Sequence, residues 1–464
     1  MVTRRYVQML KRMCSVLLVV LMAVSLIAGC DKGGDADNPN PAKVDAKYDF
    51  NGRTLEVLFM IGGQGQMADP IAAKLKSVYP GLTVNVVYDH NAHEIMRNRV
   101  MANNPPDIFD LNQGFYDYYG AISEGICKPL DFLYPLKTID GKSTLKDIID
   151  FDAIKKGQID GKNYLMADTI YTSGLWYDAK LLRDNGIEPP TTWDEFVAAC
   201  AKLKENGIYG LSWSGRWAGE YAMNYFFYPQ VASLDYKAFI GIQNLDDNAW
   251  KAPAVREVMD RLKMLLDEGY FDTNSAGMDA SEIQMEFIKR TFAFYPCGSW
   301  LEAEMSGNWP DDFELTYLPF SGVKDSSQTN HTLLASVVSA VSAKTANEDI
   351  VGEYYRYMLS DKDVTTQIVS GALNGLAIKG FSENFGDLLP KSVQGTWAAI
   401  SAGNKPLIEM ATAWYPEHIT TSQDAITAFV LGNITADEFA ERMDNFGKQM
   451  KDDDSIVKYK MSAD

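Results

Sequence analysis

TLEVLFM (residues 54–60), LTVNVVY (82–88) and DIFDL (107–111) are three short β-rich runs separated by helical patterns. Between the first two, Met67, Ile71, Leu75 and Val78 recur at helical spacing until Pro80-Gly81 stops them. Between the second and third, Ile95, Val100 and Met101 mark another helix, broken by Asn103-Asn-Pro-Pro106. Strand, helix, strand, helix, strand predicts right-handed βαβ units on a parallel sheet, an α/β fold. Ligands of such sheets bind beyond the carboxyl ends of the strands, here Gly62–Gln64 and Asp110–Tyr116.

Outward from this core the alternation continues. Residues 161–166 read as a strand and Gly174-Leu-Trp-Tyr177 as another. Thr192 with Glu195 forms a capping box before a helix with Phe196, Cys200 and Leu203 on its stripe. Residues 251–270 and 347–360 are amphipathic. The last helix starts at Thr435, with Glu438 as capping partner, and shows Phe439, Met443, Phe446 and Met450 on one face until Asp452-Asp-Asp454. No internal repeat is visible.

The amino terminus reads as an address. Arg4, Arg5, Lys11 and Arg12 precede the apolar run Cys14–Gly29, which is too short to span a bilayer comfortably. It ends in Leu26-Ile27-Ala28-Gly29-Cys30, similar to a bacterial lipobox, so residues 1–29 are expected to be a signal peptide and Cys30 a lipidation site. Residues 30–47, rich in Gly, Pro, Asn and Asp, read as a flexible tether. Stable anchoring needs at least two acyl chains.

At 464 residues and 46% hydrophobic content, the chain can build two or three domains. Its 43 basic and 62 acidic residues give a net charge of −19, which supplies no footprint for nucleic acid. Without residues 1–29 it keeps 39 basic residues against 62 acidic ones, a net charge of −23. Cys127, Cys200 and Cys297 remain after the signal and Cys30; none forms a CxxC, and they read as buried small hydrophobes.

Motifs for covalent chemistry are absent. There is no Walker loop. Gly62, Gly63 and Gly65 do not make GxGxxG, and read first as a tight strand-to-helix turn. His90, His93 and Glu94 have no companion ligands nearby, so no metal is expected. Ser143-Thr-Leu-Lys146 lacks the partners of penicillin-binding chemistry, and Leu211-Ser-Trp-Ser-Gly215 is not GxSxG. Acids are abundant, so a secreted glycosidase with a carboxyl pair stays open as an alternative. Aromatics point to binding instead. Trp213, Trp217 and Glu220 lie in a polar, Gly-rich stretch that reads as a loop, Trp300 follows Gly298-Ser299, and Trp414-Tyr415 precede Pro416. Flat aromatic faces suit sugar rings, while carboxylates and amides bind hydroxyls.

Several segments, in order, resemble the extracellular solute-binding proteins, family 1, of ATP-binding cassette importers. They are Pro106-Asp-Ile-Phe-Asp110, Asp160-Gly-Lys-Asn-Tyr164, Leu175-Trp-Tyr-Asp178, Pro189-Pro190 with Thr192-Trp193-Asp194-Glu195-Phe196, Gly298-Ser-Trp300, and Gly432 with Thr435-Ala-Asp-Glu438. The resemblance spans about residues 48–450. Ala167 and Asp178 depart from it, where the family usually has Pro and Asn.

The resemblance implies a two-lobe, type II periplasmic-binding-protein-like fold whose hinge-linked lobes close on a ligand. Lobe 1 would comprise residues 48–166 and 320–371, and lobe 2 residues 167–319 and 372–464. The cleft would take Gln64, Asp110, Gln113, Tyr171, Ser173, Trp213, Trp217, Glu220, Trp300 and Trp414. It implies a monomer without cofactor, catalytic or metal residues, anchored on the extracytoplasmic face of the membrane. Its partners would be a sugar and a membrane permease. A sensor or adhesin lipoprotein is the other alternative.

Overall fold

The computed structural model describes residues 48–61, 66–111, 118–408, 414–456, 458, 460 and 461. The predicted signal peptide, tether, Gln64 and Gln113 lie outside the described residues, as does Cys30.

Strand β1 (Thr54–Met60) buries Leu55, Val57, Leu58 and Phe59. It pairs in parallel with β2 (Thr83–Asp89) and β3 (Ile108–Asp110), as the βαβ reading expects. Helix α1 (Ala68–Val78) covers the sheet with Ala68, Ile71, Ala72 and Leu75. Helix α2 (Ala92–Met101) buries Ala92 and Met96 but leaves Met101 77% exposed. Met101 is five residues beyond Met96, which turns it about 140° away from the buried stripe.

The next strand differs from expectation. Instead of two strands there is one, β4 (Leu165–Asp178), of 14 residues, preceded by a two-residue hairpin, Gln158–Ile159 with Lys162–Asn163. Only Tyr171 escapes full burial in it. The polar run Asp168-Thr-Ile-Tyr-Thr-Ser173 reads as a break because its periodicity is not apolar. It stays in the sheet because every backbone group must be paired when both faces are covered.

The remaining strands are β5 (Tyr209–Leu211), β6 (Phe292–Gly298), β7 (Leu315–Leu318), β8 (His331–Val341) and β9 (Lys405–Ile408). The nine-stranded sheet runs β2-β1-β3-β8-β4-β6-β5, with β9 beside β8 and β7 beside β4. Strand β8 is antiparallel to β3 and β4, so the sheet is mixed rather than parallel throughout. The first part of β4 pairs with β8, and residues 173–178 pair with β6 and β7. At about 3.3 Å per residue, β4 extends roughly 46 Å, long enough to carry the chain from one strand group to the other.

A bulge interrupts the β4–β8 register. Val337 opposes Thr169 and Val338 opposes Ala167, leaving Asp168 as the extra residue. Its carboxylate, 1% exposed, accepts the Ser339 hydroxyl at 2.7 Å, and Ser339 also meets the Tyr355 hydroxyl at 2.8 Å.

Helix α3 (Trp193–Glu205) starts at the predicted box. Thr192 accepts from Glu195 N at 3.3 Å, while the Glu195 carboxylate accepts from Thr192 N and Thr191 N. Thr192→Ala should cost about 1 kcal/mol, read as a lower urea midpoint at unchanged slope. Helices α4 (Pro253–Asp267) and α5 (Glu348–Ser360) match the other amphipathic patterns. Helix α6 (Ala436–Asp452) carries the second box and buries Phe439, Met443, Phe446 and Met450. Cys127, Cys200 and Cys297 are free and buried, as read. Among the described residues no helix is long and apolar enough to cross a membrane.

Asp178, a departure from the family pattern, is built into the frame. It caps the helix Ala179–Asp184 through Lys180 N, accepts from Glu314 N at 2.9 Å, and holds Arg290 at 2.7 Å.

Candidate functional site

The site is assembled from the middle of β4 and the end of β6. Tyr171 and Ser173 are two residues apart on β4 and therefore share a face. Ser173 stands directly opposite Gly298, the last residue of β6. A side chain at Gly298 would run into the Trp300 ring, whose Cζ3 is 1.8 Å from where a Cβ would lie. The absence of that Cβ lets the indole fold back over the strand. Tyr171 meets Trp300 edge-on, ring centroids 4.7 Å apart at 86°, and Tyr225 meets it at 5.7 Å and 67°.

The turn beneath Trp300 is fixed by Ser299. Ser299 N donates to Thr172 O at 2.8 Å, and its hydroxyl donates to Asn374 Oδ1 at 2.6 Å. Gly298→Ala should displace the indole and weaken ligand binding about tenfold, with a shifted tryptophan emission in the unliganded protein as the check.

Tyr225 lies in a π-helical turn, Met223–Phe227, in which Phe227 N reaches back five residues to Ala222 O. Such insertions often re-aim side chains at functional positions. The Tyr225 hydroxyl donates to the half-buried Glu220 carboxylate. Burial pushes the Glu220 carboxyl up, the Tyr225 bond opposes this, and the charge of Glu304 adds to it. Trp217 immediately precedes the short helix Ala218–Tyr221 that carries Glu220, and is 40% exposed.

At the carboxyl end of β3, Asp110 is 9% exposed and accepts Met60 N at 2.7 Å. Burial raises its carboxyl to about 7, against the opposing pull of the Met60 and Asp110 amides.

Two aromatic expectations are corrected. Trp213 is 2% exposed and packs between Phe226 and Phe271, at 5.7 and 4.4 Å. Its polar neighbours suggested a surface loop, but Ser212 and Ser214 are buried with it. Trp414 is also 2% exposed and belongs to a cluster with Tyr119, Phe109, Leu58 and Phe446. Both rings are core. The structure thus brings together Tyr171, Ser173, Trp300 and Glu220, and adds Tyr225, Glu304 and Ser299. Tyr225 was hidden in the aromatic run Met223–Tyr228, which reads as plain core. Glu304, four residues after Trp300, was visible as a helical neighbour. Among the described residues, no group of three or more His, Cys, Asp or Glu is placed to hold a metal ion.

Comparison with known proteins agrees with this architecture. The sequence profile described as bacterial extracellular solute-binding protein matches residues 63–365. The diacetylchitobiose binding protein NgcE of Streptomyces coelicolor is 25% identical over 434 residues, covering 88% of this chain and 87% of its own. The multiple sugar-binding protein of Streptococcus mutans is 22% identical over 386 residues, covering 81% and 85%. Among solved structures, RafE in complex with raffinose superposes with a TM-score of 0.67 at 18% identity, over 86% of this chain and 99% of that one. A chitin oligosaccharide binding protein gives 0.66 at 19% identity, over 83% and 94%. At these identities the structural likeness speaks for the two-lobe fold. With its profile match across residues 63–365 of 464, the protein belongs to the bacterial extracellular solute-binding proteins.

Proposed function

We propose that this chain is the lipid-anchored substrate-binding subunit of an ATP-binding cassette importer and that its cargo is a carbohydrate, an oligosaccharide. The observation that carries the reading is the aromatic platform, Trp300 seated over Gly298 between Tyr171 and Tyr225. Rigid flat rings beside a carboxyl, Glu220, held by Tyr225, match the amphipathic faces of a sugar. The names of the relatives, which bind diacetylchitobiose and several sugars, support the same class.

In this reading lobe 1 comprises residues 48–166 and 320–371 and lobe 2 residues 167–319 and 372–464, and the ligand shifts the population towards the closed form. No covalent step is involved; the work is capture, closure and delivery to a permease. Cys30, after the Leu26–Gly29 run, carries the lipid anchor and holds the chain at the extracytoplasmic face.

A thermal-shift screen of the full chain in detergent tests the cargo, against oligosaccharides, polyols, polyamines and amino acids. A ligand at about a hundred times its dissociation constant stabilises by about 2.7 kcal/mol, a rise of several degrees. A rise with saccharides alone is the expected result. A rise with polyamines or amino acids instead would sink the carbohydrate reading and keep the importer.

A further inference from the structure

Trp300 is tied on both sides to the stretch of chain that follows residue 371. Just before it, the Ser299 hydroxyl donates to Asn374 Oδ1 at 2.6 Å, across 75 residues of sequence. Just after it, the Glu302 carboxylate accepts the Ser392 hydroxyl at 2.5 Å. Ser299 is 1% and Asn374 3% exposed. Breaking a bond between buried polar groups leaves both without water to replace it, so this contact is held firmly.

Asn374 stands at a bend. The helix Lys362–Ala372 ends at Leu373, which is left-handed at φ 53° and ψ 28°. That region is unfavourable for a residue with a Cβ, and it persists only where the surroundings impose it. Two residues later the chain meets the middle of β4. Gly375 N donates to Ile170 O at 2.9 Å, and Ile170 N donates back to Gly375 O at 2.8 Å. On its other side Ile170 faces Ser336 of β8. Three passes of the chain therefore lie side by side at Ile170. A Cβ at Gly375 would stand 2.7 Å from the Trp397 ring, so the third pass fits only as glycine. The Asn374 amide straddles the bend: its Nδ2 donates to Ala372 O at 3.0 Å, while its Oδ1 holds Ser299. One side chain thus spans the strained residue and ends at the base of the aromatic platform.

We propose that Leu373 is the pivot of the third crossing between the lobes and that Asn374 is a positioning residue latching this pivot to the Trp300 turn. This rests on the reading that places residues 320–371 in lobe 1 and 372–464 in lobe 2. Hinges are a few element-terminal residues that absorb a change of φ and ψ, and Leu373 is one by its place and conformation. Coupling of this kind is reciprocal. A ligand that steadies the indole steadies the bend, and a changed bend moves the turn that carries the indole.

The test needs no ligand, so it stands apart from the identity of the cargo. Spin labels are placed on the full chain in detergent through Met101→Cys and Leu431→Cys, at exposed positions of the two lobes, while Cys127, Cys200 and Cys297 are buried. Ser299→Ala and Asn374→Ala are each expected to shift or broaden the label-to-label distance by about 3 Å or more. Each should also speed hydrogen exchange of the Gly375 amide at least about tenfold, with exchange in α3 unchanged. The double variant should go no further than Asn374→Ala, because both substitutions cut the same bond. Leu373→Gly frees the pivot itself and keeps the latch, and it should broaden the distance as well. Broadening in Leu373→Gly alone overturns the latch and leaves the lobe boundary standing. An unchanged distance in all three variants overturns the pivot and that boundary together. Faster exchange at Gly375 without any change of distance in Ser299→Ala and Asn374→Ala makes the bond a local tie and overturns the coupling.

Discussion

Trp300→Ala is expected to weaken ligand binding by about 2–4 kcal/mol, a loss of roughly 30- to 1,000-fold. The ring is held from three sides: edge-on by Tyr171, at 67° by Tyr225, and from beneath by the Gly298 backbone. Ser299 anchors the turn through Thr172 O and Asn374. A ligand therefore spends little entropy ordering this side chain, and its removal takes away stacking area and platform together. Titration calorimetry with the best saccharide of the screen gives the number. Retained affinity in a folded variant would place the ligand elsewhere. Folding is checked by near-ultraviolet circular dichroism, and because Trp300 is only half-buried the variant should keep most of its stability.

Asp110→Asn should stabilise the unliganded protein at neutral pH by up to roughly 4 kcal/mol, and by little at pH near 4. The sign follows from linkage. The folded-state value of Asp110 is raised from 3.8 to about 7. Between these values the folded chain keeps a proton that the unfolded chain has released. Stability contributed by this group is therefore lost as pH rises from about 4 to about 7, and the loss is complete above. The amide removes the ionisation yet leaves an oxygen for Met60 N. Asp168 moves in the same direction: burial raises it, the Asp110 charge adds, and the Ser339 hydroxyl opposes. Because the two carboxyls are coupled, the double variant should gain less than the sum of the singles.

The measured quantity is the difference between variant and wild type at each pH. The wild-type profile alone is mixed, because His331 and His418 are buried and lowered to about 4 and about 3. Those imidazoles favour the folded state as pH rises through the same window. A flat difference across pH 4–8 would show that Asp110 stays ionised in the folded protein.

How much of this was legible beforehand differs by element. The β1–α1–β2–α2–β3 unit could be read from period alone, because apolar positions face one packed layer in each element. The capping boxes at Thr192 and Thr435 were equally plain, since both partners are three residues apart in the chain. The long strand β4 was not. Its central residues Asp168–Ser173 are polar, and they are buried only because β8 supplies Ser339, α5 supplies Tyr355 and the loop after β6 supplies Ser299.

The site divides the same way. By itself the amino-acid sequence determined the α/β class, the helix starts, the family, and the roles expected of Trp300, Tyr171, Ser173 and Glu220 as site candidates. Only the tertiary structure decided which aromatics are free to meet a ligand. Trp213 and Trp217 stand four residues apart in one Gly-rich stretch, yet one is 2% and the other 40% exposed. Local composition cannot separate them, because burial is set by Phe226 and Phe271, which come from later in the chain. The tertiary structure likewise set Tyr225 against Trp300 and joined Tyr171 to Trp300 across 129 residues of sequence. Pairing of this kind depends on distances that close only when the sheet brings its strands together.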